Sequence, residues 1–361
     1  MTSVSPHVEL RRPPAAPLPI GASPPAIGAA PLGSGAPPLG VGAAPLGVGA
    51  APLGSGAAPL APTHPGTPPV VRLGSLDALW IQVAGTLCNL TCAHCFISCG
   101  PANRTFEMMA RTDVERLLEE AAARGVREFY FTGGEPFAHP EMTEILEAAL
   151  GHAPATVLTN ATLLRADRVD RIARAAAASP WTLEFRVSVD GFTAVAHDAL
   201  RGAGAFDATM RGMDLLLAAG FLPIVTAVRT WPLDADDEVF EAFVRMLRAR
   251  GYDRPRIKLL PSLRIGQEAL RAGGYEPGDF VTAEMLEGYD LDRLVCRTAR
   301  LATSRGFWVC PILLDSPDAR VGDTLDEAAG AAYPLRHQAC STCWVHGAIC
   351  SNPGPAMSSG A

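Results

Sequence analysis

Between Leu79 and Leu260, short apolar runs alternate with segments of helical period, and this alternation restricts the fold more than any other feature. The runs are LWIQVAG from Leu79, EFYFT from Glu128, ATVLT from Ala155, LEFRVSV from Leu183, PIVTAV from Pro223 and RIKLL from Arg256. Each has the length and β-branched or aromatic content of a buried strand. Between them, Thr112 and Glu115 have capping-box spacing ahead of Leu117, Leu118 and Ala121, with Gly125 as the stop. Pro140 marks another helix start, followed by Ile145, Leu146 and Ala149 at helical period. Segments 165–176, 207–219 and 236–250 read as further helices, the last two ended by Gly220 and Gly251. Strands and helices in strict series imply parallel strands joined by right-handed crossovers. A six-stranded partial barrel and an open doubly wound sheet both satisfy the pattern. Past Pro261 it ends: a long helix is expected over about 283–305, then a cysteine-bearing C-terminal region.

Residues 1 to about 70 have a different texture. PLGSGAP, PLGVGAA (twice) and PLGSGAA follow one another from Pro31 with a period of seven. Pro and paired Gly exclude a coiled coil, and without large apolar groups the segment cannot offset its ordering entropy, so a disordered tail is expected. The domains expected are this tail, a core over 76–262 and a C-terminal region over 263–361. The net charge is -7, Lys258 is the single lysine, and no dense basic patch suggests nucleic acid. The first residues lack the apolar run of a signal peptide, and no apolar stretch is long enough to span a membrane. A reducing, cytoplasmic setting is the expectation, in which clustered cysteines read as metal or redox groups rather than disulfides.

Four of the nine cysteines fall within TLCNLTCAHCFISCG, from Thr86 to Gly100. Cys88, Cys92 and Cys95 follow the first strand with the spacing Cys-x3-Cys-x2-Cys, and Cys99 lies outside that pattern. Three soft thiolates on a tight loop can hold three corners of a [4Fe–4S] cube, leaving one iron open. A structural zinc site would ask for four ligands, usually as two separated pairs. Cys99 reads as a small buried hydrophobe. His94, between two of the cysteines, could shield a cluster or pack on a bound base.

Further motifs stand at the C-terminal ends of successive strands: GGEP (Gly133 to Pro136), LTNATLL (Leu158 to Leu164) and VSVDGFTAVAHDALRGAGAF (Val187 to Phe206). Loops at that end of parallel strands converge on one site. Taken in order with the cysteines, they resemble the radical S-adenosylmethionine (SAM) superfamily over roughly residues 79–261. The resemblance implies a partial (β/α)6 barrel with a small Cys-rich C-terminal extension. It implies a cluster on Cys88, Cys92 and Cys95 whose open iron SAM chelates. It gives Gly133 and Gly134 the role of leaving room for the methionine part of SAM, and Glu135 that of accepting from its amino group. Ser188 and Asp190 would meet the ribose or other polar groups of SAM, Arg201 would pair with its carboxylate, and Thr159 and Asn160 would line the pocket. Ala161 departs from the family, which usually has Gly there.

Cys310, Cys340, Cys343 and Cys350 resemble the auxiliary-cluster extension of these enzymes, known as SPASM or, when shorter, twitch. One auxiliary [4Fe–4S] cluster on those four is the expectation, with a four-cysteine zinc site as the alternative. Cys296, expected on the long helix, would belong to the family's first pair, replace one ligand, donate hydrogen or pack in the core. The function implied is reductive cleavage of SAM to a 5′-deoxyadenosyl radical that takes hydrogen from a substrate. A peptide or protein side chain is the first expectation, a small molecule or tetrapyrrole-like cofactor precursor the second, a non-catalytic iron–sulfur protein the third. An external donor such as flavodoxin or ferredoxin would supply the electron.

Overall fold

A computed structural model describes residues 64–347 and 349–350. The seven-residue repeats, and the tail expected up to residue 63, lie outside the described residues, as does the end of the chain from residue 351. The strands are β1 (Val70–Arg72), β2 (Ala78–Gln82), β3 (Glu128–Thr132), β4 (Ala155–Thr159), β5 (Leu183–Ser188), β6 (Ile224–Val228), β7 (Arg256–Leu260), β8 (Ala299–Thr303), β9 (Gly306–Trp308), β10 (Arg320–Gly322) and β11 (Ala332–Pro334). The helices are α1 (Arg111–Ala123), α2 (Met142–Ala149), α3 (Ala166–Ala178), α4 (Ala194–Arg201), α5 (Ala205–Ala218), α6 (Asp236–Ala249), α7 (Gly266–Ala272), α8 (Val295–Thr298), α9 (Leu325–Gly330) and α10 (Ala339–His346).

The six expected strands are β2 to β7, paired in parallel and in chain order. Side chains alternate across this wall with the period of two that a pleated strand imposes. Leu79 and Ile81, Phe129 and Phe131, Phe185 and Val187 pack in the helix-side core with Leu118, Ile145, Ile172 and Met213. Their neighbours Trp80, Gln82, Thr132, Arg186, Ser188 and Thr226 face a cavity on the other side. A face that carries Arg, Ser, Thr and Gln is not a packed core, so the inner wall is built to meet something polar.

Two expectations are corrected. The long helix over 283–305 is absent. Two 3-10 turns, Glu284–Leu286 and Leu291–Arg293, and the short α8 lead instead into β8. Gly288, at φ 70, interrupts any helix there. β8 then pairs parallel to β2, and β9 and β10 continue the same sheet antiparallel. The capping box at Thr112 is also absent. α1 begins at Arg111, so Thr112 is already inside the helix, and Glu115 pairs with Arg111 at 3.2 Å.

Candidate active site

The loop after β2 is pinned at its base, where Cys88 N–H donates to the Gly100 carbonyl at 3.2 Å and Leu87 bridges Gly100. Each motif sulfur accepts from nitrogen donors. Cys88 Sγ accepts from Leu90 N at 3.4 Å and Asn160 Nδ2 at 3.9 Å. Cys92 Sγ accepts from the Arg201 guanidinium at 3.9 Å, and Cys95 Sγ from Cys99 N at 3.3 Å. Without metal, burial pushes the Cys88 thiol up to about 12 and the Cys92 thiol up to about 11. Cys95 moves the other way, down to about 6, because the Cys99 thiol beside it hydrogen-bonds the thiolate. Cys99 is correspondingly raised, chiefly by that same contact, and stays a thiol. It is therefore more than the inert hydrophobe expected from its spacing. Donors on three sulfurs match thiolates that carry a cluster, because hydrogen bonds to ligand sulfur stabilise the anionic form. Among the described residues no group of His, Cys, Asp or Glu is arranged to hold a single metal ion. A cubane asks for something else, one thiolate at each ligated iron.

The glycines of GGEP admit the backbone of the loop after β2. A Cβ on Gly134 would overlap the Leu87 carbonyl, and one on Gly133 would meet Ala84 Cβ at 2.9 Å. The space they leave is therefore taken by the cysteine loop itself, which Gly134 N and Glu135 N hold through the carbonyls of Gly85 and Leu87, at 2.9 and 3.0 Å. Both glycines still border the cavity. Gly134→Ala should destabilise the protein by about 1–3 kcal/mol through overpacking against fixed backbone, measured as a shift of the urea unfolding midpoint.

Glu135 is 0 % exposed and lies behind the cavity wall rather than on it. Its carboxylate accepts from Phe137 N at 3.0 Å, Thr159 Oγ1 at 2.6 Å and Asn160 N at 2.7 Å. Burial raises its pKa against the pull of those three donors. It clamps the turn after β4, a positioning role made by protein contacts alone. Within that turn Ala161 takes φ 60, the left-handed conformation in which glycine is unstrained.

Asp190 is also off the wall. Its Oδ2 meets Arg201 Nε at 2.5 Å and His94 Nε2 at 2.9 Å, while Oδ1 accepts from Val228 N at 2.8 Å. Burial opposes its ionisation, but Arg201, His94 and that N–H outweigh it and hold the carboxyl below the usual range. His197 and Asp198 shape the segment that delivers Arg201: His197 Nδ1 accepts from Asp190 N at 3.3 Å, and Asp198 accepts from Gly204 N and Phe206 N, each at 2.7 Å. The cavity, of about 220 Å³, is lined by Cys88, Cys92, Cys95, His94, Ser188 and Arg201, together with Gly133, Gly134, Thr159 and Asn160. Asp190→Asn should cost about 3–5 kcal/mol by leaving a buried guanidinium without its carboxylate, read from denaturant unfolding, with Asp190→Glu recovering part of the loss.

The C-terminal cysteines divide. Cys296, Cys310, Cys340 and Cys343 line one small apolar cavity with Leu294, Val309, Ile312 and Tyr333. Burial raises the thiols of Cys340 and Cys343, and the neighbouring cysteines raise them further, as expected for sulfurs gathered at one point. Tyr333 is 3 % exposed, and among the described residues its hydroxyl has no hydrogen-bond partner. An unpaired donor beside four thiols suits a group that brings acceptor sulfur or charge. Cys350 lines the barrel cavity, beside Arg186, whose guanidinium donates to its carbonyl, and it also lies in the field of Cys343 and Cys310. Cys296 stands on α8, not on a long helix. None of the nine cysteines is in a disulfide. No helix among the described residues is long and apolar enough to cross a membrane.

A parallel α/β wall thus brings three thiols, a Gly-Gly turn and a buried arginine together at the C-terminal ends of its strands. The sequence model of the Radical SAM superfamily matches residues 83–247, the span that holds the cysteine loop and the motifs after β3, β4 and β5. Among curated relatives, the AdoMet-dependent heme synthase of Methanosarcina barkeri is 33% identical over 168 residues, 45% of this chain and 45% of that protein. The mycofactocin maturase MftC of Mycobacterium tuberculosis is 30% identical over 142 residues, 39% of this chain and 34% of that protein. The chain thus spans less than half the length of either. Streptococcus suis SuiB bound to precursor peptide SuiA shares the fold, with a TM-score of 0.55, 19% identity, and coverage of 72% of this chain and 66% of that one.

Proposed function

We propose that the chain is a radical SAM enzyme that modifies a peptide or protein side chain. The observation that carries the reading is the donor on each of the Cys88, Cys92 and Cys95 sulfurs at the rim of the cavity that Ser188 and Arg201 also line. A bound [4Fe–4S] cluster with SAM would supply a 5′-deoxyadenosyl radical for hydrogen abstraction. The protein's part is to hold and exclude. Cys88, Cys92 and Cys95 hold the cluster, and Arg201, oriented by Asp190, offers its guanidinium to a carboxylate of SAM. Asn160 steadies Cys88 while Glu135 fixes the turn that carries it. The buried apolar surround keeps water away from the reacting groups.

A second cluster in the C-terminal cavity would rest on Cys296, Cys310, Cys340 and Cys343, because those four share one chamber. This replaces Cys350 of the sequence expectation with Cys296. A peptide substrate is supported by the maturase relative and by the precursor peptide bound to SuiB. The electron would come from an external flavodoxin or ferredoxin, in the cytoplasm, where thiols stay reduced.

The test is anaerobic reconstitution, iron and sulfide counting, and assay of 5′-deoxyadenosine after reduction with SAM. About eight irons per chain and release of 5′-deoxyadenosine are expected. A reconstituted first cluster that never cleaves SAM under strong reductant would leave a non-catalytic iron–sulfur protein. Release that rises with a cofactor precursor but with no peptide would move the substrate to small molecules.

A further inference from the structure

The inner wall of the barrel holds three hydrogen-bonding side chains to which the proposed cluster and SAM contacts assign no role. Trp80 on β2, Arg186 on β5 and Thr226 on β6 are 2 %, 1 % and 8 % exposed. All three line the cavity bordered by Cys88, Cys92 and Cys95. Among the described residues, Trp80 Nε1, Arg186 Nε and Thr226 Oγ1 have no hydrogen-bond partner. Buried polar groups are nearly always paired, so three orphans facing one cavity point to a ligand.

Arg300 shows how this molecule satisfies a guanidinium that it buries for structure. It is 0 % exposed and donates to the carbonyls of Cys296, Ala299, Ala328 and Ala331. Arg186 instead donates to the Cys350 carbonyl and makes no ion pair with a described carboxylate. The acids nearest in its field are engaged elsewhere. Glu128 accepts from Tyr130 Oη at 2.6 Å and Thr156 Oγ1 at 2.9 Å, and Glu184 pairs with Arg256 at 2.9 Å. Lys258 on β7 adds positive charge, and burial together with the Arg186 charge pushes its ammonium down to about 8. The Trp80 indole is held in place by stacking on Tyr130 at 4.3 Å.

We propose that Arg186 and Thr226, on the paired strands β5 and β6, form a subsite for a carboxylate of the substrate, with Trp80 a further donor on the same cavity wall. Arg and Trp are donors only, so the ligand group is an acceptor, and the buried guanidinium makes it an anion. Leu158, Val228 and Leu260 on the same cavity wall suit an apolar stem behind a small planar head. The subsite rests on reading this cavity as the substrate chamber. It narrows the substrate to one bearing a carboxylic acid, whether on a peptide or on a free small molecule.

The experiment is isothermal titration of the reconstituted full-length protein with SAM present. One pair of probes is 3-phenylpropionate against its amide. The other is an acetylated dipeptide amide ending in glutamate against one ending in glutamine. In the wild type, at least one acid should bind about tenfold or more tighter than its amide, and which pair discriminates assigns the source of the carboxylate. Arg186→Gln should remove the discrimination, Arg186→Lys should keep part of it, and Thr226→Val should weaken acid binding several-fold. Equal binding of acid and amide overturns the subsite, as does no binding of any probe at 10 mM (~100-fold above a 0.1 mM affinity). Discrimination that survives Arg186→Gln also overturns it, as does inorganic phosphate binding tighter than either acid. If Arg186→Gln fails to fold, judged by iron content and melting, Arg186→Lys and Thr226→Val carry the same comparison. The titration does not read SAM cleavage. A protein that distinguishes acid from amide yet never cleaves SAM would refute the activity and leave the subsite standing.

Discussion

Cys92→Ala should abolish 5′-deoxyadenosine release and remove about four of the eight irons per chain, while the remaining iron stays with the C-terminal cysteines. The loss should be complete rather than graded. With one of three thiolates gone, the cube loses a corner ligand, and Arg201 NH1, which donates to Cys92 Sγ at 3.9 Å, loses its sulfur acceptor. Cys99→Ser separates ligation from tuning. Cys99 N–H already donates to Cys95 Sγ, and its thiol lowers the Cys95 pKa. The variant should therefore retain iron and shift the reduction potential of the first cluster, which redox titration followed by electron paramagnetic resonance reads out. Loss of all iron in Cys99→Ser would make Cys99 a ligand and undo this division.

The second large effect is expected at Cys296. Cys296→Ala should cost the C-terminal cluster, about four irons, and Cys350→Ala should leave it in place. Cys296 shares an apolar chamber with Cys310, Cys340 and Cys343, whereas Cys350, although it lies in the field of Cys343 and Cys310, lines the barrel cavity and not that chamber. The opposite result, iron lost with Cys350 and kept with Cys296, would restore the ligand set that spacing alone suggests. Zinc in place of iron at this site, by elemental analysis, would make it a structural centre.

Spacing groups Cys88, Cys92 and Cys95 because the three lie on one short loop, where local geometry and sequence distance coincide. The C-terminal set was less legible. Cys296 and Cys340 are far apart in sequence, and only the packing of α8 against α10 and the segment after β9 brings them to one cavity. The error over 283–305 has the same origin. A segment with good helix formers became β8 because the open edge of β2 could pair with it, and tertiary pairing outweighs local propensity.

GGEP and the Asp190 segment stand out by pattern, but pattern does not say which side chains face a cavity and which brace it. Gly134 admits the Leu87 carbonyl, Glu135 braces the turn after β4, and Asp190 stands behind Arg201. Arg186 went the other way. In LEFRVSV it alternates with Glu184 and Ser188, the period of a strand with one polar face, yet nothing in the run says whether that face meets solvent or a closed chamber.

The sequence by itself determined the parallel strand series, the cysteine loop and the order in which motifs arrive at one end of the strands. These depend on periodicity and on short-range spacing, which act within a few residues. Only the tertiary structure decided which polar groups reach the cavity and which brace it, and which cysteines meet. Those outcomes depend on contacts between segments far apart in the chain, where burial and hydrogen-bond satisfaction are set by the whole fold.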